Sequence, residues 1–110
     1  MIVTGRVGDP DLNPQKCIRP SVIVMAYPWA PMHGGKPIKL MASAIRQSVV
    51  IDSRSKCLNY LNFTLAKIQA LAFKADDAFM LDTEGFVAEA TGANVFIIKN
   101  NVLYSPLLTN

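Results

Sequence analysis

The sequence predicts an α+β fold, an antiparallel-rich sheet accompanied by one long helix. Three observations support this prediction. Short β-branched runs bounded by turn formers occupy the first half of the chain. A segment near the middle repeats its apolar residues at alternating three- and four-residue steps, the period of an amphipathic helix. Two pairs of short apolar runs follow, each pair flanking a tight turn, which predicts two β-hairpins.

The first half, residues 1–46, is predicted to be a strand-rich segment interrupted by a loop. "IVTGRV" is a candidate strand, and "SVIVMAYP" at 21–28 is a β-branched apolar run ended by proline, which predicts a buried strand. "PWAPMHGGKP" at 28–37 contains three prolines and two glycines and therefore predicts a loop. "IKLMASAIR" at 38–46 predicts a further strand.

Residues 47–110 are predicted to hold the helix and both hairpins. The change of period at Lys56 predicts a helix from that residue to about 73–74, with Ser53 or Ser55 as its N-cap. The apolar stripe of this helix is expected to face the core. It consists of Leu58, Leu61, Leu65, Ile68 and Ala72.

Each predicted hairpin has a turn whose residues tolerate a positive φ. "DAFMLD" and "FVAEA" flank "TEG", in which Gly85 takes that position. "NVFIIKN" and "VLYSP" flank Asn100 and Asn101, a second tight-turn candidate. These four runs predict the antiparallel pairing at the C-terminal end.

The composition favours one soluble globular unit and excludes several kinds of partner. The chain has 110 residues, 51% of them hydrophobic, and its net charge of +3 is scattered rather than clustered, so nucleic acid is not expected as a partner. No apolar run approaches the roughly 20 residues that span a bilayer, so a membrane is not expected either. Cys17 and Cys57 are far apart and His33 is the one histidine, so no metal site is expected. Reduced thiols and the lack of a signal-like N-terminus predict a cytoplasmic protein.

Lys56, Tyr60 and Glu89 are the candidate chemical groups. Lys56 and Tyr60 are four residues apart and would share a face if the helix began by Lys56. Glu89 is an acid within the apolar strand "FVAEA", where a carboxylate is costly unless a cation or donor meets it. A lysine, a nearby tyrosine and a buried acid are the parts that a pyridoxal phosphate enzyme needs. Spacing alone favours a solvated lysine at a helix start, and an acid within a strand is often an edge residue.

Longer stretches of the sequence resemble the class IV (fold-type IV) aminotransferases. "KCLNYLNFTLAKIQA" and then "ADDAFMLDTEGFVAEATGANVFIIKNNVLYSP" follow the order of that family's motifs. Upstream, "LNPQKCIRPSVIVMAYPWAPMHG" is similar to the branched-chain amino acid aminotransferases, in which a strand runs into a Pro-Trp loop. The resemblance covers essentially all of the chain. It implies part of the large and linker region of a D-amino acid aminotransferase-like fold.

The resemblance also implies roles for five residues. Lys56 matches the family's catalytic lysine, which forms a Schiff base with pyridoxal 5′-phosphate. Tyr60 matches the tyrosine that contacts the cofactor's phenolic oxygen, and Glu89 matches the glutamate paired with the pyridine nitrogen. Trp29 falls in the loop that lines the substrate side. Met32 is expected to bind substrate too, at a place where many relatives carry a tyrosine.

The activity implied is transamination of leucine, isoleucine and valine with 2-oxoglutarate, in branched-chain amino acid biosynthesis. A homodimer or higher homo-oligomer is implied as well. Family members bind the cofactor phosphate through an upstream domain and a downstream turn that have no counterpart here, so residues 1–110 are expected to be a single fragment, inactive alone. A D-amino acid aminotransferase or aminodeoxychorismate lyase of the same fold, and a non-catalytic interaction module, remain as alternatives.

Overall fold

The computed structural model describes residues 1–5, 12–17, 19–47 and 55–107. The chain divides into two compact units, residues 1–34 and 35–110. In the described part, no helix has the length and apolarity required to cross a membrane.

In the first unit, β1 (Ile2–Thr4) pairs antiparallel with β2 (Ser21–Ile23). A short 3-10 turn at Pro14–Lys16 lies between them in sequence. The strand predicted at 21–28 is therefore shorter than expected, and it is not buried, since Val22 is 60% exposed. A two-stranded ribbon offers no second layer of its own to cover either face.

The second unit is built on a three-stranded sheet, ordered β3 (Leu40–Arg46), β4 (Asp77–Leu81) and β5 (Val87–Ala90). The helix α1 (Leu61–Ala72) lies between β3 and β4 in sequence and packs on both strands. β3 and β4 run parallel, which requires a crossover connection, and α1 supplies it. The other pairings are antiparallel, so the α+β prediction is confirmed, whereas the parallel pair was not predicted.

Both predicted hairpins form. β4 pairs antiparallel with β5 through a turn in which Gly85 has φ 95°. β6 (Ile97–Lys99) pairs antiparallel with β7 (Val102–Tyr104). Asn100 and Asn101 connect them with φ values of 51° and 61°, the left-handed conformation that tight hairpin turns require.

The helix begins later than predicted. Tyr60 is its N-cap residue, and its carbonyl accepts the first helical hydrogen bond, from the N–H of Thr64 at 2.9 Å. Just before, the Tyr60 N–H donates to the carbonyl of Leu58 at 3.0 Å, which closes a turn that is incompatible with helix. Lys56 therefore precedes the helix rather than starting it. The far end, at Ala72, is close to the predicted one.

The predicted N-caps do not hold. The N-cap position is occupied by Tyr60. Ser55 lies in a bend five residues earlier, and Ser53 falls outside the described residues. Tyr60 makes no side-chain capping hydrogen bond. The start of the helix is thus set by the preceding turn rather than by a serine cap.

The face of α1 that meets the sheet differs from the predicted one. Leu61 and Ile68 of the expected stripe are 69% and 58% exposed. The helix instead buries Ala66 and Ala70, whose small side chains let it lie close against β3 and β4. A hydrogen bond from Ser43 Oγ to Gln69 Oε1 (2.8 Å) secures this orientation. The resulting core consists of Ala66, Ala70, Ala75, Ala78 and Met80.

Enlarging one of these alanines should separate the helix from the sheet. Ala70 is fully buried, so Ala70→Leu is expected to lower the free energy of unfolding by about 1–3 kcal/mol, because the added methylenes have no space. Ala72→Leu, at an exposed position of the same helix, is the matched control and should change it by less than about 0.5 kcal/mol. Urea denaturation followed by circular dichroism measures both. Equal stabilities would contradict the close helix–sheet contact.

Candidate active site

An open cavity of about 590 Å³ lies within the second unit. Its walls come from the end of β3, from the segment before α1 and the first turn of α1, and from β4, β5 and the turn that follows β5. Drug-sized and cofactor-sized ligands occupy cavities of this size in proteins. The polar side chains that line it include Gln47, Lys56, Tyr60, Glu89, Thr91 and Asn94.

Lys56 and Tyr60 contact each other on one wall. The Lys56 ammonium donates to the Tyr60 hydroxyl at 3.3 Å. The Tyr60 ring in turn packs on the ring of Phe63, with centroids 5.5 Å apart. The proximity predicted from four-residue spacing is therefore present. It arises from the turn at Leu58 and not from a shared helical face.

Glu89 lies on β5 and lines the same cavity. Its backbone is paired with Met80, which is fully buried. Burial raises the pKa of the Glu89 carboxyl, because loss of solvent disfavours its charged form. The structure thus brings Lys56, Tyr60 and Glu89 to one cavity, as the sequence analysis expected; their roles remain predictions.

Gln47 is a site residue that sequence reasoning missed. Its side-chain amide donates to Glu89 Oε1 at 2.8 Å. The two residues are 42 positions apart, so no local pattern links them. Only the strand order, which places the end of β3 two strands from β5, brings them together.

The turn after β5 forms another wall, and Asp77 holds it. The Thr91 hydroxyl donates to Asp77 Oδ1, and the Thr91 N–H donates to the carbonyl of Ala78 at 3.2 Å. Within the turn, the Ala90 N–H donates to the carbonyl of Ala93 at 2.9 Å. These bonds fix the segment that carries Thr91 and Ala93 against β4.

Asp77 is buried and charged. Burial raises the pKa of its carboxyl, but hydrogen bonds from the Thr91 hydroxyl and the Ala78 N–H, together with the Lys67 ammonium 3.4 Å away, lower it further than burial raises it. Its pKa therefore lies below the ordinary value of 3.8. The carboxylate is the form that the fold stabilises.

Trp29 and Met32, the expected substrate residues, belong to the first unit. Trp29 is 81% exposed, and Met32 starts a short 3-10 turn that continues into left-handed backbone at His33. Their predicted contact with substrate remains a prediction. Among the described residues, no group of three or more histidine, cysteine, aspartate or glutamate side chains could hold a metal ion.

Comparison with known proteins identifies a family. The profile described as amino-transferase class IV matches residues 1–110. A protein of Methanocaldococcus jannaschii named "Putative branched-chain-amino-acid aminotransferase" is 44% identical over 108 residues, 96% of this chain and 38% of that protein. The branched-chain-amino-acid aminotransferase of Pseudomonas aeruginosa is 38% identical over 95 residues, 80% of this chain and 31% of that protein. The chain thus spans about a third of the length of these relatives.

Solved structures of related proteins also match this chain. A T.th. branched-chain amino acid aminotransferase complexed with N-(5′-phosphopyridoxyl)-L-glutamate matches with TM-score 0.59 and 38% identity, over 62% of this chain and 24% of that one. The holo-form enzyme of Thermobaculum terrenum matches with TM-score 0.65 and 31% identity, over 71% and 26%. A Legionella pneumophila protein titled "Putative 4-amino-4-deoxychorismate lyase" matches with TM-score 0.55 and 39% identity, over 64% and 27%.

The lowered pKa of Asp77 predicts how stability depends on pH. A carboxyl whose pKa is lower in the folded state stabilises the fold fully above its unfolded value of 3.8 and loses that contribution as pH falls through the folded value. Asp77→Asn should therefore lower the free energy of unfolding by about 1–3 kcal/mol at neutral pH. The cost should shrink below about pH 4.

Unfolding free energies measured between about pH 7 and pH 3 test this expectation. Glu84→Gln, which neutralises an exposed carboxylate in the β4–β5 turn, is the control and should be nearly neutral throughout. A cost for Asp77→Asn that stays constant across the whole pH range would contradict the role assigned to the carboxylate charge.

Proposed function

The chain belongs to the class IV aminotransferases, and on that basis we propose that it carries the ring-binding side of the active site of a branched-chain amino acid aminotransferase. The cofactor is pyridoxal 5′-phosphate, the amino donors are leucine, isoleucine and valine, and 2-oxoglutarate is the acceptor. The names of the relatives support this assignment. The observation that carries it is the convergence of an amine, a phenol and a carboxyl on one cavity.

The side chains of the cavity fit the ring of this cofactor. An aldehyde requires an amine, which Lys56 provides; a phenolic oxygen requires a donor, which Tyr60 provides; and a ring nitrogen requires an acid, which Glu89 provides. A Cβ added at Gly92, which also lines the cavity, would meet nothing within 4 Å, so the wall is open there. Among the described lining residues Lys56 is the one cation, so the phosphate is expected to be held by other groups.

Each residue has a distinct task in the proposed reaction. When bound, the cofactor supplies an electron sink for the pair released at the α-carbon of the amino acid. With the cofactor bound, Lys56 would be the residue that holds it at its aldehyde carbon, and its free amine would carry a proton to or from the substrate α-carbon. The Tyr60 hydroxyl, 3.3 Å from the lysine Nζ, orients that amine. The Glu89 carboxylate would accept a hydrogen bond from a protonated ring nitrogen.

The remaining parts of the proposal rest on the resemblance of the sequence to the family. Trp29 and Met32 contact the substrate, and the protein works as a homo-oligomer. Cys17 and Cys57 are free thiols, which agrees with action in the reducing cytoplasm.

Reductive trapping tests the proposal directly. With excess pyridoxal phosphate followed by borohydride, the pyridoxyl mass should accumulate on the peptide that carries Lys56 in preference to peptides with other lysines. Lys56→Ala should abolish the selective labelling, since the attaching amine is gone. Peptide mass spectrometry measures the yield.

Lys99→Ala is the matched control, because Lys99 is an exposed lysine on the separate hairpin β6–β7. This variant should leave labelling at Lys56 unchanged. Labelling spread evenly over all lysines of the wild-type chain, with no preference for Lys56, would overturn the proposed function.

A lyase is the second candidate, favoured by the structural match to the Legionella pneumophila protein. The two activities differ in their products. An aminotransferase converts 2-oxoglutarate to glutamate at the expense of leucine, whereas an aminodeoxychorismate lyase releases pyruvate without any amino acceptor. A D-amino acid aminotransferase would use D-alanine instead. Product analysis with this substrate panel separates the three.

A further inference from the structure

The contact between Gln47 and Glu89 is built into the sheet. The N–H of Gln47 donates to the carbonyl of Leu81, the last residue of β4, at 3.0 Å. This bond extends the sheet past the end of β3 and fixes the position from which the Gln47 side chain reaches Glu89 across β4. Neighbouring strands lie about 4.8 Å apart, so the two side chains together span two strand spacings.

Glu89 has one oxygen held and one oxygen available. Oε1 accepts the amide hydrogen bond from Gln47. Among the described residues, no other donor and no ion-pair partner contacts the Glu89 carboxyl. Neither of its oxygens is a buried atom that lacks a hydrogen bond. Oε2 thus has no hydrogen-bond partner among the described residues, on a side chain that lines the cavity.

The charged and titratable groups around Glu89 are otherwise engaged. Lys56 and Tyr60, which line the same cavity, contact each other. Arg46, beside Gln47, donates to the carbonyl of Asp82 at 3.3 Å. Asp77, on β4, is bound by Thr91 and Lys67. Gln47 is thus the described side chain that meets the Glu89 carboxyl directly.

We propose that Gln47 is a positioning residue for Glu89: its amide fixes one carboxylate oxygen so that the other faces the cavity as the acceptor for a cationic ring nitrogen. This inference rests on the proposed function for the identity of that nitrogen. The amide also favours the ionised carboxylate, since it donates to it, and so opposes the effect of burial. A carboxylate is the form that a protonated ring nitrogen requires.

The sequence allows a direct measurement on the chain without cofactor. Glu84 and Glu89 are its two glutamates, so carboxyl-¹³C glutamate labelling gives two NMR signals. Glu84, exposed in the β4–β5 turn, serves as internal reference. In Gln47→Met the side chain keeps its length but loses the donor, and the titration midpoint of Glu89 should move further upward while that of Glu84 stays in place.

Two further variants separate loss of the hydrogen bond from a change of polarity at position 47. Gln47→Asn keeps the amide but shortens it by one methylene, so it should also raise the Glu89 midpoint without placing an apolar group beside it. Gln15→Met makes the same chemical change as Gln47→Met in an exposed 3-10 turn of the first unit and should leave Glu89 unchanged. Identical Glu89 midpoints in wild type, Gln47→Met and Gln47→Asn would overturn the inference.

A second measurement connects the contact to the cofactor. With pyridoxal phosphate bound, Gln47→Met should shift the pH midpoint of the bound cofactor's absorbance relative to wild type, whereas Gln15→Met should not. If no cofactor binds Lys56, the proposed function fails, yet the titration of Glu89 still decides the role of Gln47. If Gln47→Met shifted the titration midpoint of Glu89 but left the pH midpoint of the cofactor absorbance unchanged, Gln47 would not be a positioning residue for the ring.

Discussion

The buried carboxylate of Asp77 joins the three elements on which the candidate site depends. One oxygen accepts from the Thr91 hydroxyl and the Ala78 N–H, and the other lies 3.4 Å from the Lys67 ammonium on α1. The helix, the central strand and the cavity wall are thus bound to one charge. Because an unpaired charge is expensive in a buried position, all of these partners must be present together, which makes the network cooperative.

The neighbouring aspartate extends this network to the start of β3. Asp76 accepts the Lys39 N–H on its carboxylate at 2.7 Å, and its carbonyl accepts from the Lys67 ammonium at 2.6 Å. The N–H groups of Asp76 and Asp77 in turn donate to the carbonyl of Lys39. The parallel alignment of β3 with β4 is therefore set at its first residues. Towards the other end of β3 the register with β4 shifts between Ala42 and Arg46, and beyond this shift the Gln47 N–H donates to the carbonyl of Leu81.

Local signals in the sequence predicted the hairpins, whereas contacts between distant segments could not be read from it. Gly85, Asn100 and Asn101 each adopt the backbone conformation that their residue types favour. The helical period located α1 but not the face that meets the sheet, since periodicity identifies the apolar side and says nothing about how closely the partner surface approaches. Ala66 and Ala70 face the sheet, beside Met80 of β4 and the hydrogen bond from Ser43 of β3 to Gln69 of α1.

In the candidate site, too, some residues could be predicted from the sequence and another could be found only in the fold. Lys56, Tyr60 and Glu89 were identified through the resemblance to a family, because spacing alone leaves a lysine near a helix start most simply solvated. Gln47 has no motif of its own and emerges only from the order of the strands.

Lys67 and Lys56 differ in how their ammonium groups are held, and this difference supports the role proposed for Lys56. Lys67 lies on α1, and its ammonium contacts both the carbonyl of Asp76 and the carboxylate of Asp77. These contacts connect the helix to β4 and stabilise the fold. Lys56 precedes the helix, and among the described residues its hydrogen-bond partner is a neutral hydroxyl, that of Tyr60. An amine that must bond to an aldehyde, leave it and carry a proton has to exchange partners during the reaction. A strong ion pair would oppose each exchange, whereas a hydroxyl can accept from the ammonium or donate to the free amine as the proton moves.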